Sequence, residues 1–177
     1  MSAVLDQKYE KLFALLDANG DGVIAEDDFT LMAERVLVAF GEERAAGKGK
    51  KYADEMMNYW HALRDRADTD GDGRIDGDEF RRAVRQASDD FDTLIGPLYE
   101  AGFHLADRDD DGLVSREEFV AVEQAIGVPA DEAGATFDLL TEQGGSLTLD
   151  RLMAAATQYY RNEDPAHTER HLLFGAL

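Results

Sequence analysis

Residues 68–80 read Asp68-Thr69-Asp70-Gly71-Asp72-Gly73-Arg74-Ile75, then Asp76-Gly77-Asp78-Glu79-Phe80. Acidic side chains alternate around glycines, an apolar residue follows, and an acid with Phe closes the segment. The same order recurs in the segments that begin at Asp17 and Asp107. Amphipathic flanks surround each copy, so the sequence predicts an internal repeat of helix, loop and helix, about 30 residues long.

The flanking segments carry apolar residues at intervals of three and four positions. Before the first loop these are Tyr9, Leu12 and Leu16, and before the second they are Met56, Trp60 and Leu63. This period is typical of amphipathic helices, and no segment of strand length alternates. We therefore predict an all-α protein of four helix-loop-helix units, arranged as two pairs in one compact body.

The two pairs are predicted to meet near residue 88, with residues 1–88 forming the first pair and residues 89–177 the second. Between them, Ser88 to Tyr99 is rich in large apolar residues, unlike a solvated tether. Pro97 is suited to the first turn of a new helix. The apolar residues Leu172, Leu173, Phe174 and Leu177 predict a C-terminal tail docked on the body. In contrast, Gly41 to Lys51 lacks apolar periodicity and is predicted to be a basic connector.

The amino-acid composition excludes several classes of function. The 177 residues include 18 Lys and Arg against 38 Asp and Glu, a net charge of −20, with 44% hydrophobic residues and no Cys. The apolar fraction excludes general disorder, and the acidity argues against nucleic acid as a partner. Without Cys there is no disulfide framework or thiolate zinc site. No apolar run could span a membrane, and no secretory signal is recognisable at the N-terminus, so we expect a cytoplasmic location.

The repeated loop has the spacing that a calcium ion requires. Calcium takes six to eight oxygens at about 2.3–2.6 Å, and a twelve-residue loop can supply them from positions 1, 3, 5, 7, 9 and 12. Position 6 must be Gly because the backbone turns there with a positive φ. The predicted ligands of the second loop are Asp68, Asp70, Asp72, the carbonyl of Arg74, Asp76 and Glu79; those of the third are Asp107, Asp109, Asp111, the carbonyl of Leu113, Ser115 and Glu118.

The first loop differs at its last position. Asp17, Asn19, Asp21 and the carbonyl of Val23 take the early positions, but position 12 is Asp28. Because Asp is one methylene shorter than Glu, it reaches an ion less easily with both oxygens. We therefore predict a third, weaker calcium site at which magnesium competes.

A fourth unit keeps the apolar pattern and loses the ligands. Its loop, from Thr141 to Arg151, is one residue short, and Arg151 stands in place of the closing acid. Leu147 occupies the apolar position of Ile24, Ile75 and Val114. We predict that this unit binds no ion and pairs with the third loop, with Val114 facing Leu147 and Ile24 facing Ile75.

With these motifs the chain resembles the EF-hand proteins, and within them the sarcoplasmic calcium-binding proteins and bacterial calerythrin. The resemblance covers the four units, the long spacing from Asp17 to Asp68, the segment Ile95-Gly96-Pro97 and the Asp at position 12 of the first loop. It implies calcium binding in a compact helical body. In that family the second hand is commonly silent, whereas here it is the fourth.

The acids are accounted for as ligands and no catalytic signature is present, so the chain is not predicted to be an enzyme. Two functions stay open: a calcium buffer, or a sensor that changes shape and engages a protein target. A sensor of the calmodulin type opens a Met-rich groove, and the five Met of this chain do not cluster around all the hands. The sequence thus favours a monomeric buffer, with a protein target as the alternative.

Overall fold

The computed structural model describes residues 3–86, 95–141 and 145–161. These residues are mostly helical, and two very short strands form a two-stranded sheet. In chain order the elements are α1 (Ala3–Leu16), α2 (Glu26–Phe40), α3 (Gly47–Ala67), α4 (Gly77–Gln86), α5 (Gly96–Ala106), β1 (Leu113–Val114), α6 (Arg116–Ala125), α7 (Ala130–Leu140), β2 (Leu147–Thr148) and α8 (Leu149–Arg161). No helix in the described ranges is long and apolar enough to cross a membrane.

Adjacent loops pair through their apolar position-8 residues. Strands β1 and β2 are antiparallel, with Val114 opposite Leu147, and an isolated antiparallel bridge joins Ile24 to Ile75. Ile24 and Ile75 exchange two backbone hydrogen bonds of 2.9 Å. All four side chains are buried. Both predicted pairings are confirmed, and each loop is anchored at its middle to a partner loop.

The two helical pairs pack against each other. Helix α3 lies against α5, and α2 lies against α6. The centre of the first pair is aromatic, with the Phe29 ring 5.4 Å from that of Trp60 and 5.6 Å from that of Tyr59, centroid to centroid. Ion pairs also cross between the halves, from Lys11 to Glu132 at 3.2 Å and from Lys51 to Glu100 at 3.7 Å. The predicted compact all-α body is confirmed.

Helix α5 begins as the sequence predicted, with Gly96 as its first residue and Pro97 in its first turn. The predicted boundary at residue 88 lies outside the described residues, as do Phe91, Leu94 and the tail residues 162–177. The division into 1–88 and 89–177, and the docking of the tail, stay predictions.

The segment from Gly41 to Lys51 is not a connector throughout, and that prediction is wrong for its second half. Helix α2 ends at Gly41, which has a φ of 68° and caps the helix with its N–H. Helix α3 then begins at Gly47. A Cβ on Gly49 would lie 2.5 Å from the carbonyl oxygen of Glu43, so glycine permits the close approach that the turn into α3 requires. At Gly49 the glycine therefore reflects tight packing rather than a loose loop.

One buried acid is not explained by the loops. Glu123, on α6, is 8% exposed, and burial raises its pKa to about 8 from its ordinary value of 4.5. The pKa of the neighbouring Tyr52 is also raised, mainly by burial and to a smaller extent by the charge of Glu123. A carboxyl group taken out of water favours its neutral form. Glu123 therefore carries a proton at neutral pH in the folded protein.

This buried acid predicts a pH dependence of stability. The unfolded chain releases the proton near pH 4.5, whereas the folded chain keeps it until about pH 8. Between these values the folded state binds more protons, so the free energy of unfolding falls as pH rises, by at most about 1.4 kcal/mol per pH unit. Urea unfolding at saturating calcium between pH 6 and 9 should show this fall, levelling off above pH 8. The isosteric variant Glu123→Gln should lack it. Parallel pH curves for the two proteins would contradict the prediction.

Candidate metal centres

The second loop holds three of its predicted acidic ligands together. Asp68 ends α3, and its two carboxylate oxygens accept the N–H groups of Gly71 at 2.7 Å and Gly73 at 3.0 Å. Carboxylate oxygens of Asp68, Asp70 and Glu79 all lie within 4.8 Å of one another. This spacing matches oxygens that share one cation with bond lengths of about 2.3–2.6 Å. The loop is therefore a strong candidate for a calcium site.

The third loop repeats this arrangement with a different trio. Oxygens of Asp107, Asp109 and Asp111 lie within 4.8 Å of one another. Asp107 is buried and accepts the N–H of Asp111 at 3.2 Å and that of Gly112 at 3.0 Å. Its position at the end of α5 corresponds to that of Asp68 at the end of α3. The same local fold thus produces a second cluster of three acids.

The closing acid links the two ends of each loop. Glu79 accepts the N–H of Thr69 at 2.8 Å with one oxygen and that of Asp76 at 3.2 Å with the other. Glu118 likewise accepts the N–H groups of Arg108 at 3.3 Å and Ser115 at 2.8 Å. In both loops these donors are positions 2 and 9. The closing carboxylate thus joins the start of the loop to the start of the exiting helix.

These hydrogen bonds favour the charged form of both closing acids. The hydroxyl and N–H of Thr69 hold the pKa of Glu79 below its ordinary value. Burial alone would raise the pKa of Glu118, but hydrogen bonds from the N–H and hydroxyl of Ser115 outweigh it and the pKa is lowered. Each group is therefore an anion at neutral pH, as a two-oxygen ligand must be.

The first loop closes differently because its acid is shorter. Asp28 accepts the N–H of Asn19 at 3.0 Å and that of Ala25 at 2.8 Å. Its first donor is therefore position 3 instead of position 2. The side chain is fully buried, and burial raises its pKa despite the two hydrogen bonds. Asn19 also places an amide where the other two loops have Asp, and the first loop has no cluster of three acids within 4.8 Å, unlike the other two.

Backbone geometry supports the predicted loop positions. At position 6, Gly22, Gly73 and Gly112 have φ values of 90°, 82° and 79°, so the predicted positive φ is confirmed. The residues at position 7 carry the predicted carbonyl ligands: Val23, Arg74 and Leu113 each donate their N–H to the position-5 Asp, namely Asp21, Asp72 and Asp111, at 3.1, 2.8 and 2.8 Å. All seventeen predicted ligands thus lie in the three loops, six of them in the two acidic clusters.

Position 4 of the third loop is an exception that sequence reasoning missed. Asp110 has a φ of 58°, where the first two loops place glycines. Asp tolerates this left-handed conformation better than most residues. Its carboxylate pairs with Lys48 at 2.6 Å, and Lys48 belongs to the first turn of α3. The third loop is therefore tied by charge to the opposite half of the molecule.

A second contact connects the third loop to that half. Arg108, at position 2, donates to the carbonyl of Ala39 at 3.1 Å, and its guanidinium carbon lies 4.6 Å from the Phe40 ring centre. Neither Lys48 nor Arg108 has a ligand-type side chain, so the loop pattern could not reveal them. The only available signal was the basic character of residues 44–51, which are far from the third loop in sequence.

The described part of the fourth unit agrees with a pairing role. Thr141 is buried, and its hydroxyl donates to the carbonyl of Phe137 at 2.9 Å. Arg151 is exposed, and residues 142–144, including Gln143, lie outside the described residues. The pairing of Leu147 is therefore established, whereas the absence of ion binding stays a prediction.

The closing acid of the first loop is expected to control its choice of ion. Asp28→Glu should raise the ratio of calcium to magnesium affinity at that loop, since the longer side chain can offer two oxygens at calcium distances. The matched reverse change, Glu79→Asp, should lower the ratio at the second loop. Calcium titration by calorimetry with and without magnesium measures both. If neither ratio moves, the length of the closing acid does not set ion preference.

Comparisons with known proteins agree with the loop geometry. The family description "EF-hand domain pair" matches residues 6–85 and 63–122. The chain is 25% identical to calerythrin from Saccharopolyspora erythraea, covering 90% of this chain and 93% of that protein. It is 27% identical to the sarcoplasmic calcium-binding protein beta chain of Penaeus sp., covering 92% and 91%. These relatives are calcium-binding proteins and are not enzymes. They agree with the predicted calcium binding and with the prediction that the chain is not an enzyme.

The fold has a counterpart among solved structures. A calcium-binding protein of Streptomyces coelicolor, described in connection with prokaryotic calcium-mediated regulation, superposes with a TM-score of 0.80. The two are 29% identical, and the match covers 88% of this chain and 97% of that one. With the family match spanning three loops and the acids gathered as calcium requires, this chain belongs to the EF-hand family of calcium-binding proteins.

Proposed function

We propose that this protein is a calcium buffer with three ion sites, in the first, second and third loops. The observation that carries the proposal is the pair of acidic clusters, each with three carboxylates within 4.8 Å. The proposed ligands are the side chains of Asp17, Asn19, Asp21, Asp28, Asp68, Asp70, Asp72, Glu79, Asp107, Asp109, Asp111 and Glu118, with the carbonyls of Val23, Arg74 and Leu113.

The three sites are proposed to differ in strength. The second and third loops each end on a Glu that offers two oxygens, and they are the tight calcium sites. The first ends on the shorter Asp28, and magnesium competes there because it requires fewer ligands in a smaller shell. At resting calcium a buffer of this kind holds magnesium in its first loop and exchanges it as calcium rises.

Interlocking of the two halves supports a buffer over a sensor. A sensor opens each helix pair to expose an apolar groove. Here the faces that would open are already covered, since α2 lies on α6 and α3 lies on α5. The contacts of Lys48 and Arg108 add polar connections between the third loop and the other half. Opening would have to break these contacts as well as the apolar packing.

Two observations favour the alternative, a sensor with a protein target. The related Streptomyces coelicolor protein is described in terms of calcium-mediated regulation. An apolar cavity also lies between the halves, with Met32 and Met56 in its wall. Met side chains adapt to varied partners. In this alternative, calcium widens the cavity into a groove for a helix of the target.

The surroundings proposed for the buffer follow from its charge. With a net charge of −20 it would repel nucleic acid, and like charge disfavours self-association. We propose that it acts as a monomer in the cytoplasm, where free calcium is low enough for such sites to fill during a signal.

Site number is tested by calorimetry. The chain should bind three calcium ions, two tightly and one weakly. Glu79→Gln and Glu118→Gln should each remove one tight site, weakening it by more than the ~10- to 100-fold that follows loss of an outer-shell partner. Thr141→Ala, in the fourth loop, is the matched control and should leave three sites. Four bound ions, or an unchanged count in the Glu variants, would contradict the assignment.

Buffer and sensor are separated by the response of shape to calcium. For the buffer, replacing magnesium by calcium should leave the radius of gyration from X-ray scattering and the fluorescence of a bound apolar dye unchanged. For the sensor, calcium should raise dye fluorescence. The double variant Glu79→Gln with Glu118→Gln serves as the control, since any calcium effect on shape should vanish in it.

A further inference from the structure

The cavity between the two halves has the features of a small-molecule site. Its volume is about 120 Å³, and helices of both halves contribute to its wall. The wall is largely apolar, and among its side chains are Leu12, Met32, Met56, Phe103, Phe119 and Leu152. None of the proposed metal ligands is among its lining residues, so this space is distinct from the ion sites.

A polar group in this wall lacks a partner. Glu123 lines the cavity and is 8% exposed, and its Oε2 atom has no hydrogen-bond partner among the described residues. Leaving a buried polar atom without a hydrogen bond is destabilising, so such groups are seldom kept without a use. Leu or Met would fill this position on α6 without that cost. A bound molecule with a complementary polar group would remove this cost by forming a hydrogen bond with the Oε2 atom.

The protonation of Glu123 limits the kind of molecule. Burial raises its pKa to about 8, so at neutral pH it is a carboxylic acid that can both donate and accept a hydrogen bond. Tyr52, another wall residue, also stays neutral because burial raises its pKa. The net charge of −20 disfavours an anion, and a neutral Glu123 in an apolar wall offers no counter-charge to a cation, so an uncharged ligand is favoured.

The size of the cavity limits the ligand further. At about 120 Å³ the cavity is somewhat smaller than the roughly 150 Å³ apolar cavity that binds benzene in another protein, so it limits the ligand to a single small ring. We propose that the cavity binds a small uncharged ring compound whose single polar group hydrogen-bonds to Glu123. This is a second binding function, separate from the calcium sites, with an apolar pocket for the ring and one polar contact for orientation.

The experiment uses the full calcium-loaded chain and two probes of similar size, phenol and benzene. Proton–carbon NMR of methionine methyl groups locates binding, because Met32 and Met56 line the cavity whereas Met57 does not. Both probes should shift the first two signals and spare the third. Phenol should bind about tenfold tighter than benzene, as expected for one hydrogen bond.

Variants isolate the role of Glu123. Glu123→Leu should keep benzene binding and lose the preference for phenol over benzene. Glu123→Gln should keep most of that preference. Val122→Phe fills part of the cavity and should therefore weaken the binding of both probes. Calcium stoichiometry should stay the same in every variant, so a failure here is distinct from a failure of the buffer proposal.

Two results would overturn the proposal. If neither probe shifts Met32 or Met56 in a saturable way, the cavity is filled by water or by the chain's own residues. If phenol keeps its advantage in Glu123→Leu, a different group makes the polar contact.

Discussion

In the second loop, oxygens of Asp68, Asp70 and Glu79 lie within 4.8 Å of one another, and like charges at such distances repel. Each pair costs about 1–4 kcal/mol, depending on how well water screens it. Several such pairs rival the ~5–15 kcal/mol that stabilises a whole domain. A cation placed among them reverses the sign of the interaction. Ion binding and order in these loops are therefore coupled, because the ion binds the folded arrangement and not the unfolded chain.

The rest of the fold holds the carboxylates in place against this repulsion. Backbone N–H groups point at Asp68 and Asp107 from within their own loops. The closing acids reach back across each loop, and pairs such as Ile24 with Ile75 anchor the loop centres in the apolar interior. Basic side chains are few, and Lys48 is placed where it meets the third loop from the other half. Hydrogen bonds within each loop and packing from distant segments thus hold the same carboxylates in place.

The fourth unit shows that loop pairing does not require the acidic ligand pattern. Leu147 takes the place opposite Val114 and is fully buried, although its loop has lost the acidic pattern. Without a partner strand, the third loop would expose its central backbone groups and the side chain of Val114. A loop that lacks the acidic pattern can therefore still be required by a neighbouring loop that has it. This explains why the apolar skeleton of the unit persists without its ligands.

Much of the site could be predicted from sequence because a calcium loop is a local structure. Twelve consecutive residues supply the oxygens, the glycine turn and the position-8 residue, so spacing alone predicted the pairing of Ile24 with Ile75 and the positive φ of Gly73. Loop pairing was also accessible, since repeated units pair with their neighbours. The sequence also indicated that Asp28 would close the first loop differently, because Asp is one methylene shorter than Glu.

What sequence could not predict depends on segments that are distant in the chain. The first turn of α3 was missed because its glycines lower helix propensity, and the close approach of Gly49 to Glu43 exists only in the folded chain. The pairing of Lys48 with Asp110 requires two halves to meet, and no local pattern encodes that meeting. Glu123 looks like any acid on an amphipathic helix until the opposite half covers it. Burial, and with it the raised pKa and the cavity, is a property of the assembled body, because desolvation requires neighbours from both halves.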